Sequence, residues 1–158
     1  GITNVSSKGD GMYLASNGKD QLLKVWDLRK MVSVHNARWE LPIKTTRYDY
    51  RWQNYPLVGR QTKLPKDHSL FTFMGHQVLE TLIRCQFSPL ETTGQRYLYS
   101  GSACGKVFIY DLLTGDLAQV LEASEQNVAR DVSWHPKYPV LASTSFSGDI
   151  YLYTAENQ

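Results

Sequence analysis

The sequence predicts an all-β chain, a partial β-propeller of about three blades with one long loop insertion. Three observations predict it. First, a strand–turn–strand pattern recurs as YLASNGKDQLLKVWD, LYSGSACGKVFIYD and LASTSFSGDIYLYT, in which Ser16 and Asp27, Ser100 and Asp111, and Ser143 and Thr154 each lie 11 positions apart. Second, Asp111 and Thr154 lie 43 positions apart, inside the window of about 40–45 residues that a four-stranded blade needs. Asp27 and Asp111 lie 84 apart, roughly one such period plus an insertion of about 40 residues. Third, Gly75-His76 stands ahead of a strand ending Phe87-Ser88-Pro89, and Trp134-His135-Pro136 ends the equivalent strand of the third repeat.

Composition agrees. Of 158 residues, 42% are hydrophobic and 12% aromatic, which suits a packed core rather than disorder. The net charge of +2 is too small to imply nucleic acid by itself. No run approaches the roughly 18 apolar residues of a membrane helix. The opening GITNVSS has no Met, no basic start and no apolar block, so no signal peptide is expected. Cys85 and Cys104 make no zinc or redox spacing and read as reduced packing residues in a reducing compartment. An arc of about three blades leaves two open faces, since repeat units bury their surfaces against neighbours. The chain is therefore expected to be part of a longer protein, carrying its last repeats, with exposed apolar edges.

The elements follow in order. Residues 1–29 form a first repeat, incomplete at its start. Ile2–Val5 ends an inner strand, Lys8–Gly11 is a turn, and two strands flank Asn17-Gly18-Lys19-Asp20, where Gly18 is expected to supply a positive φ. Residues 30–68 form the insertion. Between Lys30 and Asp67 it holds eight basic and three acidic residues, interleaved with Trp39, Tyr48, Tyr50, Trp52 and Tyr55. A loop this long is usually functional or disordered, and so many aromatics argue against disorder. Its centre, Tyr48 to Tyr55, is expected to pack back on the rim, with mobile flanks around Pro42 and Pro65. Residues 69–116 carry the outer strand of the first blade, Leu70–Phe73, and a second repeat in which Val107–Tyr110 is apolar on both faces and so covered on both sides. Residues 117–158 carry the outer strand of the second blade and a third repeat, which lacks an outer strand; Val132 and Trp134 alternate inward.

These residues resemble WD repeats. More narrowly, Val25-Trp26-Asp27-Leu28-Arg29 resembles the Trp-Asp-x-Arg ending of many WD-repeat substrate receptors in the cullin-4-associated factor family. The stretches Tyr48–Gln53, Thr81–Pro89 and Arg130–Pro136 are similar to the branch holding that family's eleventh member and the plant LEC14B-like proteins. The resemblance implies a substrate-receptor subunit of a cullin-4 ubiquitin ligase, non-catalytic, located in the nucleus and/or cytoplasm. Its implied partners are the ligase adaptor, of the damaged-DNA-binding protein family, and a protein substrate marked for proteasomal degradation. It places Trp26, Asp27, Arg29 and Asp20 at the adaptor site. It also implies that the Gly-His histidine bonds a turn Asp. For His76 that position holds Cys104, so the network of this blade is incomplete or rewired. Without the resemblance, Asp20 and Trp26 read as structural residues, and Arg29 as a solvated rim arginine whose planar fork suits a carboxylate or carbonyl. The second repeat has Leu113 where the first has Arg29.

Asn4, Arg84 and Asp131, with Arg130 beside the last, precede the inward strand residues and are expected to line one end of the channel as a substrate face. The alternative is that each pairs with a neighbour, such as Arg130 with Asp131. No Gly-rich phosphate loop is present. His35, His68, His76 and His135 sit in unrelated contexts, so no catalytic residue, metal or cofactor is expected. A general WD-repeat scaffold without a ligase role is the second reading. Single-stranded nucleic acid on the basic, aromatic insertion is a third, weakened by the absence of a recognised module.

Overall fold

The computed structural model describes residues 1–31, 49–53, 55, 67–122 and 127–155. Its strands are β1 (Ile2–Ser7), β2 (Tyr13–Gly18), β3 (Leu23–Asp27), β4 (Phe71–Phe73), β5 (Cys85–Phe87), β6 (Tyr97–Ser100), β7 (Lys106–Asp111), β8 (Leu117–Glu122), β9 (Ala129–Trp134), β10 (Val140–Ser145) and β11 (Ile150–Thr154). One short helix, α1 (Leu90–Thr93), follows Ser88-Pro89 and ends at Gly94, whose φ of 60° provides the left-handed cap. The strands form three antiparallel sheets, ordered β1-β2-β3-β4, β5-β6-β7-β8 and β9-β10-β11. These are the three blades. Strand β5 packs on β1 and β2, and β9 packs on β5, β6 and β7, so each inner strand leans on the preceding blade.

Alternation builds the core. In β7, Phe108 and Tyr110 face the first blade and join Ala15, Leu23, Val25 and Phe73. Val107 and Ile109 point the other way and join Val132 and Leu141 of the third blade. A strand whose successive side chains alternate between faces must be apolar throughout when both faces are covered, as the Val107–Tyr110 run requires. Trp134 stacks on Tyr97, with ring centroids 6.2 Å apart and planes 7° apart. At the far side of the third blade, Ile150 and Leu152 of β11 stay 70% and 69% exposed.

The first seam is also polar. Asn17, fully buried at the end of β2, donates to the Ile83 carbonyl at 3.3 Å and to Ser100 Oγ at 3.2 Å. Its Oδ1 lies 2.8 Å from His76 Nε2, and His76 Nδ1 lies 3.0 Å from the Tyr110 hydroxyl. With Oδ1 an obligate acceptor, His76 donates from Nε2. Gln21 adds a second tie: its Oε1 accepts from Val78 N at 2.7 Å and its Nε2 donates to Val78 O at 3.1 Å. The rewiring that Cys104 implied thus uses Asn17 of the preceding blade. Cys104 itself contacts Ser102 Oγ at 3.0 Å. Both cysteines are free, and burial pushes the Cys85 thiol up to about 12.

The β2–β3 turn differs from the sequence expectation. Gly18 belongs to β2 and has no positive φ; the left-handed residue is Gln21, at φ 65°. A Cβ at Gly18 would meet Asp20 Oδ1, so a larger residue there would displace the exposed Asp20 side chain. Gln21 accepts the left-handed backbone because its side chain is committed to Val78.

The 30–68 segment touches both ends of the first blade. It leaves β3 through a 3-10 turn at Leu28–Lys30. It returns at Asp67, whose buried carboxylate meets the Lys24 ammonium at 2.5 Å and caps Ser69 N at 2.9 Å. Burial alone would raise the Asp67 carboxyl, but Lys24 and Ser69 hold it below its ordinary value. Asp49–Gln53 packs at the opposite end. There Lys19 Nζ sits 3.8 Å from the Tyr50 ring centroid, and the Glu80 amide donates to the Tyr50 carbonyl at 2.8 Å. Tyr48, Asn54 and the flanks expected to be mobile lie outside the described residues. So do most of the segment's basic residues; Arg51 is paired with Asp49.

Two substitutions test the seams. Asn17→Ala removes the acceptor of a buried histidine N–H and a donor to the Ile83 carbonyl and the Ser100 hydroxyl, and should cost about 2–3 kcal/mol. Gly101→Ala places a methyl against the Ala129 carbonyl and should cost about 1–3 kcal/mol by overpacking. Each should lower the urea midpoint of the full-length protein; an unchanged midpoint for either removes that contact from the account.

Candidate functional site

Antiparallel pairing gives the blades two distinct ends. Ile2 pairs with Gly18 and Tyr13 with Asp27. The start of β1 therefore shares one end, the turn end, with the β2–β3 turn. Asp27 and Arg29 mark the other, the closing end.

At the closing end, Asp27 has extended backbone angles and caps the 3-10 turn, accepting from Arg29 N at 3.0 Å. Aspartate suits that role because its short side chain reaches the free amides of the turn. The Arg29 guanidinium folds back onto the same carboxylate, with Nε 2.9 Å from Oδ1 and Nη2 2.9 Å from Oδ2. Nη2 also donates to the Tyr13 hydroxyl at 3.2 Å, and the guanidinium lies 5.6 Å from the Tyr13 ring centroid. This two-point geometry fixes the fork while Arg29 remains 58% exposed over a buried Asp27. The Arg29 hydrogen bonds hold the Asp27 carboxyl below its ordinary value, and Asp27 in turn raises Arg29. Trp26 is half-buried, and its indole donates to Ser16 Oγ at 2.8 Å.

The second blade repeats the clamp with a different arginine. Asp111 accepts from Leu113 N at 2.8 Å and from Arg96 Nε and Nη2 at 2.9 and 2.5 Å. Arg96 precedes Tyr97, the register partner of Asp111. Sequence reasoning missed it by looking only after the closing Asp, where Leu113 stands. The available sign was a basic residue immediately before the strand residue that faces that Asp. Between the two clamps lies a cavity of about 450 Å³, floored by Val25, Phe71, Phe87 and Leu112 and edged by Tyr13 and Arg96.

The turn end holds the other candidates. Asn4 Oδ1 accepts from Cys85 N at 3.0 Å and from its Sγ at 3.3 Å. Arg84 Nη1 meets Asp131 Oδ2 at 3.0 Å, and Arg84 N donates to the Arg130 carbonyl at 3.0 Å. Asn4, Arg84 and Asp131 therefore staple successive inner strands. Asp131 pairs with Arg84 of the preceding blade, not with adjacent Arg130, because successive strand residues point to opposite faces. Arg130 is exposed and carries no side-chain hydrogen bond or ion pair among the described residues. Asp20 sits at this end, exposed, and accepts from Leu22 N at 3.3 Å. The structure does not bring Asp20 together with Arg29, which lies beyond the opposite end of β3.

The Asp27 clamp carries a pH test. Because the folded carboxyl is depressed, its contribution is fully present above the unfolded value and is lost as pH falls through the folded one. The stability difference between wild type and Asp27→Asn should be constant above the ordinary carboxylate value of 3.8 and shrink below it. A difference that persists unchanged at lower pH would assign the effect to something other than this ion pair.

A model described as WD domain, G-beta repeat matches residues 1–27 and 115–154. The LEC14B protein of Lithospermum erythrorhizon is 52% identical over 95% of this chain. DDB1- and CUL4-associated factor 11 homologs of Caenorhabditis briggsae and Caenorhabditis elegans are 41% and 39% identical over 98% of it. The chain spans 31% of the length of the first and 27% of the other two. Blade order, repeated closing clamps and these matches agree: the chain folds as three blades of a β-propeller, matches the WD repeat over residues 1–27 and 115–154, and is similar over nearly its whole length to LEC14B and to DDB1- and CUL4-associated factor 11 homologs.

Proposed function

We propose that the full-length protein is a non-catalytic substrate-receptor subunit of a cullin-4 ubiquitin ligase, acting in the nucleus and/or cytoplasm. The closing end docks the ligase adaptor, and the turn end, with Arg130 and the Arg84–Asp131 and Asn4 staples, faces the protein substrate. The names of the nematode relatives support the class of assembly. The observation that carries the adaptor site is the Arg29 fork, immobilised by Asp27 and Tyr13 yet 58% exposed. An arginine already ordered loses little side-chain freedom when a partner carboxylate or carbonyl arrives. Trp26 contributes through Ser16, by holding the strand that ends in Asp27.

One observation favours a general scaffold instead. Arg96 clamps Asp111 without any Trp-Asp-x-Arg ending, so such a clamp also arises simply to close a blade.

Capture of full-length protein by the cullin-4 adaptor separates the two. Arg29→Ala should weaken capture at least about tenfold, the loss of a charge-assisted contact at an interface, while Arg96→Ala serves as the blade-closing comparison. Binding by wild type that Arg29→Ala leaves untouched sinks the role of Arg29. Absence of wild-type binding leaves the scaffold reading.

A further inference from the structure

At the turn end, Asp49–Gln53 and the loop before β5 enclose a hollow of about 470 Å³ lined by Tyr50, Arg51, Trp52, Gln53, Leu79 and Glu80. Trp52 is 84% exposed, on a turn whose backbone is held in place. Its amide donates to the Asp49 carbonyl at 3.1 Å, Gln53 N does so at 2.9 Å, and Arg51 is locked bidentately on Asp49. An almost fully exposed indole on this hydrogen-bonded turn presents a large apolar and π surface that the fold itself leaves uncovered, the kind of anchor that dominates protein interfaces.

Glu80 is the second anomaly. Among the described residues, the non-glycine residues with left-handed backbone are Gln21, Glu80 and Gln95. Two of them use the side chain for structure. Gln21 is tied to Val78, and Gln95 donates to the Lys8 carbonyl at 2.6 Å. Glu80 has φ 63° and gives its amide to Tyr50, but its carboxylate has no hydrogen bond or ion pair among the described residues. Strained backbone persists where surrounding structure enforces it, and it clusters at ligand sites. Here it presents a carboxylate to the hollow that holds the indole. The neighbouring cations are already engaged: Arg51 by Asp49, and Lys19 by the Tyr50 face and the Asp49 charge.

We propose that this hollow takes a lysine or arginine side chain from a protein partner. The cation would lie over the Trp52 indole and pair with Glu80, with its aliphatic stem against Leu79. An acidic side chain would meet the Glu80 charge and is excluded. The proposal rests on the turn end being the partner-facing end of the receptor, and the adaptor experiment reports on the opposite end separately.

Selection of a displayed random dodecapeptide library on the full-length protein tests it. Recovered peptides should share a lysine or arginine at one position. Their affinity should fall at least about tenfold on Trp52→Ala and on Glu80→Lys, and less on Glu80→Gln, while adaptor capture is unchanged in all three. A consensus without a fixed basic position, an acidic consensus, or affinities that none of the variants moves would overturn it. Lost adaptor capture in Arg29→Ala with peptide binding intact leaves this site standing on its own.

Discussion

Everything in this chain hangs on how one blade grips the next, and at the first seam that grip is a buried hydrogen-bond knot. Asn17 reaches from β2 to His76, Ser100 and Ile83 at once, and His76 passes the network to Tyr110. In a buried seam each of these groups is costly unless satisfied. The knot therefore admits one relative placement of the first and second blades. The apolar core around Phe73, Phe108 and Tyr110 supplies the driving force for burial. The polar groups inside it select the register.

The second seam works differently. Val107, Ile109, Tyr99, Val132 and Leu141 form a largely apolar contact, with polar ties around it: Arg84 to Asp131 and to the Arg130 carbonyl, the Ala129 amide to the Ser102 carbonyl, and Tyr99 to the Trp134 amide. Non-directional packing tolerates small shifts that a hydrogen-bond knot does not. The closing-end clamps and the Trp52 hollow are built at the junction of the first two blades, and the Arg84–Asp131 staple at the second. The Arg29 and Arg96 clamps flank the closing end of the first junction. The Trp52 hollow, with Glu80, caps its turn end.

That division also accounts for the route of the 30–68 segment. It departs beside Arg29, is pinned at Asp49–Gln53 on the opposite end, and returns through the Lys24–Asp67 pair at the flank of β3. An insertion confined to one end would decorate one surface. This one contributes to both, placing the only aromatic turn of the described segment next to the loop that carries Glu80.

Much of the fold was legible in the sequence by itself. Period-2 alternation within strands and a period near 43 residues between blades are properties of local geometry, so the blade pattern, the doubly covered β7 and the return of β4 across the insertion could be read directly. The site was legible only in part. Asp27 and Arg29 are two residues apart, and their clamp is a local turn. Asn17, Arg96, Asp131 and Glu80 owe their roles to residues 15 to 83 positions away, and no local pattern encodes such distances. The sequence determined the strands, because strand pairing and turns depend on neighbours along the chain. Only the tertiary structure decided which arginine closes the second blade, because that depends on strand register across the sheet, and which polar groups meet across the seams, because that depends on how separate blades pack.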